Sequence, residues 1–115
     1  MARAAGRSKD EIPPGTLGLL ILRTLARGGE LHGYEIATAI ERGSEDVLSV
    51  EEGSLYPALQ RMLVEGWVVA RWGQTAANRR ARYYKLTAAG KKQLATELEQ
   101  FDRVMGAIGR ILAPA

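Results

Sequence analysis

Ser49–Trp67, SVEEGSLYPALQRMLVEGW, is the stretch on which the rest of the chain is read. Leu55, Leu59, Met62 and Leu63 recur at helical spacing, so about a third of a helix surface faces a core. The opposite edge carries Gly53, Pro57, Gln60, Arg61 and Val64, with Ser54 and Tyr56 on its shoulders. It is small, polar and poor in acids, a surface suited to lying against another molecule. Ser49 and Glu52 have capping-box spacing, which sets the helix start near Val50. Pro57 argues for a later start near Ser54, because an interior proline loses a hydrogen bond and crowds the preceding turn. One helix is predicted, irregular in its first turn.

Upstream, Thr16–Arg27 reads TLGLLILRTLAR, a run too long for a comfortable strand, with Leu17, Leu20, Ile21 and Leu25 at helical spacing. Thr16 is its expected cap, and Gly28 and Gly29 end it. Leu19 and Leu22 make this helix apolar nearly all round, so it should be buried on two sides, one of them outside its own domain. A second helix runs from Tyr34 to Glu41 or Arg42, with Ile36, Ala37 and Ile40 as its inner edge. Three short helices with tight connections form a helix-turn-helix core whose third helix is the reader. Residues 1–14, ahead of Gly15, read as a loose, weakly basic arm.

Downstream of Gly66 the period changes. Val68, Ala70 and Trp72 alternate with Val69 and Arg71, and Arg82–Leu86 alternates likewise, which predicts a hairpin. Its tip, Gly73–Ala81, holds Gln74, Asn78, Arg79 and Arg80. Thr87 then caps a last helix reaching about Leu112, in which Leu94, Leu98, Phe101, Met105, Ile108 and Leu112 are spaced 4, 3, 4, 3 and 4 apart. Such a helix is about 38 Å long, more than a domain of this size covers. The seam therefore predicts a second copy as partner, with the apolar first helix contributing Leu17 and Leu20. The expected fold class is mostly α with a small β-hairpin: a winged helix-turn-helix over residues 15–86 and a C-terminal dimerisation helix over 87–115.

The chain of 115 residues has the size of one domain. It has no cysteine, which excludes disulfides and thiolate chemistry and points to a reducing, cytoplasmic setting. Nothing resembles a membrane span or a secretory signal. Net charge is +3, but Arg71–Lys92 holds seven cations and no acid, leaving 9 cations against 13 acids elsewhere. A basic segment on an otherwise acidic domain is the footprint of a polyanion partner. The plainer reading is a solvated charged hairpin.

PGTLGLLILRTLARGGELHGYEIATAI, VEEGSLYPALQRMLVEGWV and NRRARYYKLTAAGKKQL together resemble the PadR family of transcriptional regulators, over Pro14–Phe101. HGYEI, GSLYPAL and RYYKLTAAG are specific in combination. The short C-terminal part looks like the smaller branch of that family, with a single dimerising helix. The resemblance implies a homodimeric winged-helix repressor on a pseudo-palindromic operator, released by a small aromatic or amphipathic effector. The last helix departs from that pattern in lacking the tryptophans with which some members grip flat drugs, which counts against an effector of that kind; Phe101 and Met105 are the residues whose change should alter an effector response.

Within the reader helix, Gln60 can pair with adenine and Arg61 with guanine in a major groove of double-stranded DNA. Ser54 and Tyr56 are candidates for phosphate, and Tyr34 at the start of the second helix is a further DNA-binding candidate; alternatively the Tyr56 ring packs on that helix with only its hydroxyl wet. Glu51 and Glu52 repel phosphate, so Arg79 and Arg80 on the hairpin should supply most of the attraction. Arg82 and Lys85 have solvating the sheet as their plainer role. His32 has no second ligand for a metal and reads as a turn cap. Trp67, Trp72, Tyr83 and Tyr84 bracket the hairpin and read mainly as glue between sheet and helices, Trp67 and Tyr84 above all; the alternative is a partly exposed Trp72, an aromatic beside cations that could stack on an effector. No nucleophile elbow, phosphate-binding glycine loop or catalytic set is present, so neither an enzyme nor a cofactor is expected. The alternative function is a winged-helix interaction module for an acidic protein.

Overall fold

A computed structural model describes residues 9–115. In chain order the elements are β1 (Asp10–Glu11), α1 (Leu17–Gly28), β2 (Leu31–His32), α2 (Gly33–Gly43), β3 (Leu48–Ser49), α3 (Glu52–Glu65), β4 (Val68–Gln74), β5 (Arg80–Leu86) and α4 (Ala88–Leu112). This is the expected winged helix-turn-helix with a long last helix.

α1 is the hub. Leu19, Ile21, Leu22 and Leu25 are buried in the core with Ile36 and Ile40 of α2 and Leu55, Leu59 and Met62 of α3. Leu17 and Leu20, half-buried, pack at its margin. Gly29 ends α1 at φ 80°, a backbone region that favours glycine. Thr16 stands at the cap position but caps nothing: its hydroxyl donates backwards to the Pro13 carbonyl at 2.7 Å. α2 starts at a reciprocal cap. The Glu35 N–H donates to His32 Nδ1 at 3.4 Å, and the His32 N–H donates to Glu35 Oε1 at 3.0 Å.

The expected Ser49–Glu52 capping box does not form. Ser49 is drawn into β3, which pairs in parallel with β1, and the Val50 N–H donates to Glu41 Oε2 at 3.0 Å. α3 consequently starts at Glu52, with Glu51 at the cap position making no side-chain bond. Pro57 lies inside α3. Without an N–H, Pro57 cannot donate to the carbonyl of Gly53 four residues back, and Gly53 lies on the exposed face of the helix. Gly66 closes α3 at φ 78° with a Schellman pair, the Gly66 N–H to Leu63 and the Trp67 N–H to Met62.

Residues 1–8 of the expected loose arm lie outside the described residues. Its inner end is held rather than loose: the Asp10 N–H donates to the Val47 carbonyl at 2.7 Å, and Lys9 pairs with Glu41 and Asp46 at 3.5 and 3.6 Å.

The hairpin strands are longer and the tip shorter than the alternation suggests. Asn78 at φ 59° lets Thr75–Asn78 turn tightly, closed by the Asn78 N–H to the Thr75 carbonyl at 2.9 Å. β2 adds a third strand, in the order β2-β5-β4. Register assigns the two faces. Val68, Ala70, Trp72 and Gln74 oppose Leu86, Tyr84, Arg82 and Arg80 on the inner face, and Arg71 opposes Tyr83 on the outer one.

α4 is locked to the wing at its first turn. The Thr87 hydroxyl accepts from the Gly90 N–H and donates to the Gly66 carbonyl at 2.6 Å, and the Thr87 N–H donates to the Trp67 carbonyl. Gly90 is obligatory there, since a Cβ would overlap the Trp67 carbonyl oxygen.

Candidate nucleic-acid interface

The buried side of α3 is set by Leu55, Leu59 and Met62, so Gly53, Pro57, Gln60, Arg61 and Val64 form its open side. At 100° per residue, Ser54 and Arg61 share one flank of that side and Tyr56 and Gln60 the other. Val64, 77% exposed, sits at its centre.

The second flank borders an open groove between the start of α2 and the wing. Tyr34, Tyr56, Arg79 and Arg80 all line it, as do Trp72 and Arg82. Four of the seven DNA-binding candidates are thus brought together. Gln60 and Arg61 lie on the open face of α3 itself, and Ser54 borders a separate hollow beside Ser49 and Glu51. The Tyr56 ring rests on Gly33, where a Cβ would meet its hydroxyl end within 3 Å, yet the residue remains exposed. The packing of the Tyr56 ring on α2 is thus seen, and it leaves the residue partly open to the groove. Burial pushes the Tyr84 hydroxyl at the groove's base up from its ordinary value.

The wing cations divide into two kinds. Arg71, on the outer face, donates two hydrogen bonds to the Glu30 carboxylate at 2.7 and 2.8 Å. Those bonds hold the Glu30 carboxyl below its usual range and raise Arg71. The Arg79, Arg80 and Arg82 guanidiniums meet no carboxylate among the described residues. Arg79 belongs to the tip as expected; Arg80 does not, being the first residue of β5. Arg82, read as merely solvating, shares the inner face with Arg80. Both lie over the Trp72 ring, at 4.6 and 5.9 Å from its centroid. Trp72 is accordingly not sheet glue. Alternation along β4 places it on the inner face, but the core ends before it.

The dimerisation candidates also divide. Leu94 is buried in the protomer's own core and Leu98 packs against it, because the first turns of α4 lie on α1 and β5. The expectation that Leu94 joins an intermolecular seam is therefore corrected. Phe101, Met105, Ile108 and Leu112 are exposed, and Val104 and Ile111, which a strict heptad omits, widen the stripe. Of the two effector candidates, Phe101 lines a shallow hollow with Thr16, Leu19 and Val104, and Met105 does not. Among the described residues no group of acidic or histidine side chains is placed to hold a metal ion, and no helix is long and apolar enough to cross a membrane.

A model of the transcriptional regulator PadR-like family matches residues 21–96. The negative transcriptional regulator PadR of Bacillus subtilis is 30% identical over 70 residues, 61% of this chain but only 38% of its own length. A crystal structure of Bacillus subtilis PadR in complex with operator DNA superposes with a TM-score of 0.63 at 30% identity, covering 72% of this chain and 46% of that one. A transcriptional regulator from Clostridium thermocellum superposes with a TM-score of 0.78 at 25% identity, covering 86% and 95% of the two chains. For a PadR family transcription regulator from Clostridium difficile the values are 0.73, 28%, 86% and 100%.

Proposed function

Because the chain belongs to the PadR-like family of transcriptional regulators, we propose that it acts as a homodimeric repressor on a two-fold related operator in cytoplasmic double-stranded DNA. The observation that carries this reading is the groove in which Tyr34, Tyr56, Arg79 and Arg80 converge beside the open face of α3. In the major groove Gln60 and Arg61 address base edges, while Ser54, Tyr56 and Tyr34 donate to phosphates through short hydroxyls. The wing cations hold the backbone electrostatically, compensating for Glu51 and Glu52 at the start of α3. The Bacillus subtilis PadR–operator complex supports DNA as the ligand, and the name of that relative supports repression.

Pairing is assigned to the exposed stripe of α4, Phe101, Met105, Ile108 and Leu112, continued by Leu98 and by Leu17 and Leu20 of α1. A two-fold pair places two α3 helices about one duplex turn apart, the spacing a pseudo-palindrome requires. A small aromatic effector held against Phe101 and Met105 would act at this seam and so on the spacing of the readers.

Selection of duplexes from a random-sequence library by the wild-type protein tests the reading. The expected product is a pair of inverted half-sites, bound with a large preference over random duplex at moderate salt. Gln60→Ala should relax one position in each half-site by about 1–3 kcal/mol. Binding that is weak and indifferent to sequence would instead identify a module for an acidic protein partner.

A further inference from the structure

Two wing arginines share one ring. Trp72 stands directly opposite Arg82, and Arg80 opposes Gln74 on the same face, so both guanidiniums lie over an indole that is 57% exposed. A cation is held by the ring face, whereas the five N–H donors of a guanidinium lie in its own plane at its rim. Stacking therefore orders each side chain without consuming its donors. Arg71 shows the contrast: it also lies over a ring, 4.9 Å from the Tyr83 centroid, but Glu30 takes its donors.

We infer that Trp72 is a positioning residue for DNA binding, holding Arg80 and Arg82 as a pre-ordered pair of phosphate donors. The inference rests on the reading of the wing as the clamp on the DNA backbone. A long side chain already confined to a ring loses less rotamer freedom when it docks. The indole also fixes the separation of the two cations. It makes no phosphate contact of its own in this role, so it changes affinity without changing how many phosphates are neutralised.

The test uses the full chain and a labelled duplex enriched by the wild-type protein. Trp72→Ala should weaken binding roughly five- to thirtyfold per bound protomer, the range expected for two partly exposed cation–π contacts, while the slope of log affinity against log salt stays at the wild-type value. Trp72→Phe, which retains a π face, should recover most of the loss. In a Trp67→Phe background Trp72 is the remaining tryptophan. Its emission should change on titration with DNA, and that change should vanish when Arg80 and Arg82 are both alanine. If Trp72→Ala perturbs folding, Trp72→Leu, which keeps bulk but has no π face, carries the same expectation. Wild-type affinity in the Ala or Leu variant, alongside weakened binding by Arg80→Ala/Arg82→Ala, overturns the role of Trp72 and leaves the clamp standing. A wild-type chain that binds no enriched duplex removes both.

Discussion

Replacing Arg79 and Arg80 together by alanine should flatten the salt dependence of DNA binding by an amount that follows from the structure. Each phosphate neutralised on B-form DNA contributes about 0.9 to the slope of log affinity against log salt. Neither guanidinium meets a carboxylate among the described residues, so each is free to neutralise one phosphate. The slope should fall by about 1.8 per bound protomer and about 3.6 for a dimer. Over a fourfold rise in salt, the wing pair of a dimer then accounts for roughly 150-fold of the lost affinity. Arg71→Ala is the matched control: with its donors on Glu30, its loss should leave the slope nearly unchanged. Fluorescence anisotropy of a labelled duplex across a salt series reads all three proteins. A double variant with the wild-type slope, or an Arg71→Ala protein that flattens it equally, would refute the division of the wing cations. The size of the drop also counts the protomers on the duplex.

Ile108→Asp should leave the protomer folded, since Ile108 is 42% exposed. It should also break the pair. Burying the open part of the side chain is worth about 1 kcal/mol on each side, so the dimer dissociation constant should rise about thirtyfold or more, measurable by sedimentation. Leu98→Asp should unfold the protomer instead, because Leu98 packs on the core. Gly90→Ala should lower stability: overlap with the Trp67 carbonyl costs about 3 kcal/mol, against about 1 kcal/mol gained in helix propensity. The net loss of about 2 kcal/mol is roughly 8–16 °C in Tm, read by thermal denaturation. The Glu41 carboxyl is held below its ordinary value of 4.5, chiefly by the Val50 N–H and further by Lys9, against the opposing effect of burial. Its contribution is therefore present above that value and lost as pH falls through the lowered one. Glu41→Gln should reduce the acid dependence of Tm below about pH 5, and an unchanged acid profile would contradict the role given to this carboxylate.

The helical core and the wing were legible because each rests on a local period: 3.6 along Leu55–Leu63, then 2 from Val68. The PadR resemblance was legible for the same reason, its motifs being short and contiguous. Contacts distant in sequence were not. β2 exists only through its pairing with Tyr83 and Tyr84, and two residues carry no period. Arg71 counts as a free cation along the chain until Glu30, 41 residues away, is found beside it. Ser49 has the spacing of a cap, but β1 and Glu41 compete for the same backbone. Leu94 continues the heptad of the last helix without a break, and periodicity does not say whether the covering surface belongs to the same protomer. The tight turn at Asn78 was hidden because asparagine tolerates the left-handed backbone without signalling it.

The seating of Thr87 has a mechanical meaning. Bonded through its hydroxyl and its N–H to the end of α3 and the root of β4, with Gly90 flush against Trp67, the 25-residue α4 is a rigid lever with its fulcrum at the base of the wing. A tilt of about 10° at that pivot moves its far tip by about 6 Å. Run in reverse, a modest displacement at the distal end reaches the wing as a small, geared-down rotation with no slack in the joint.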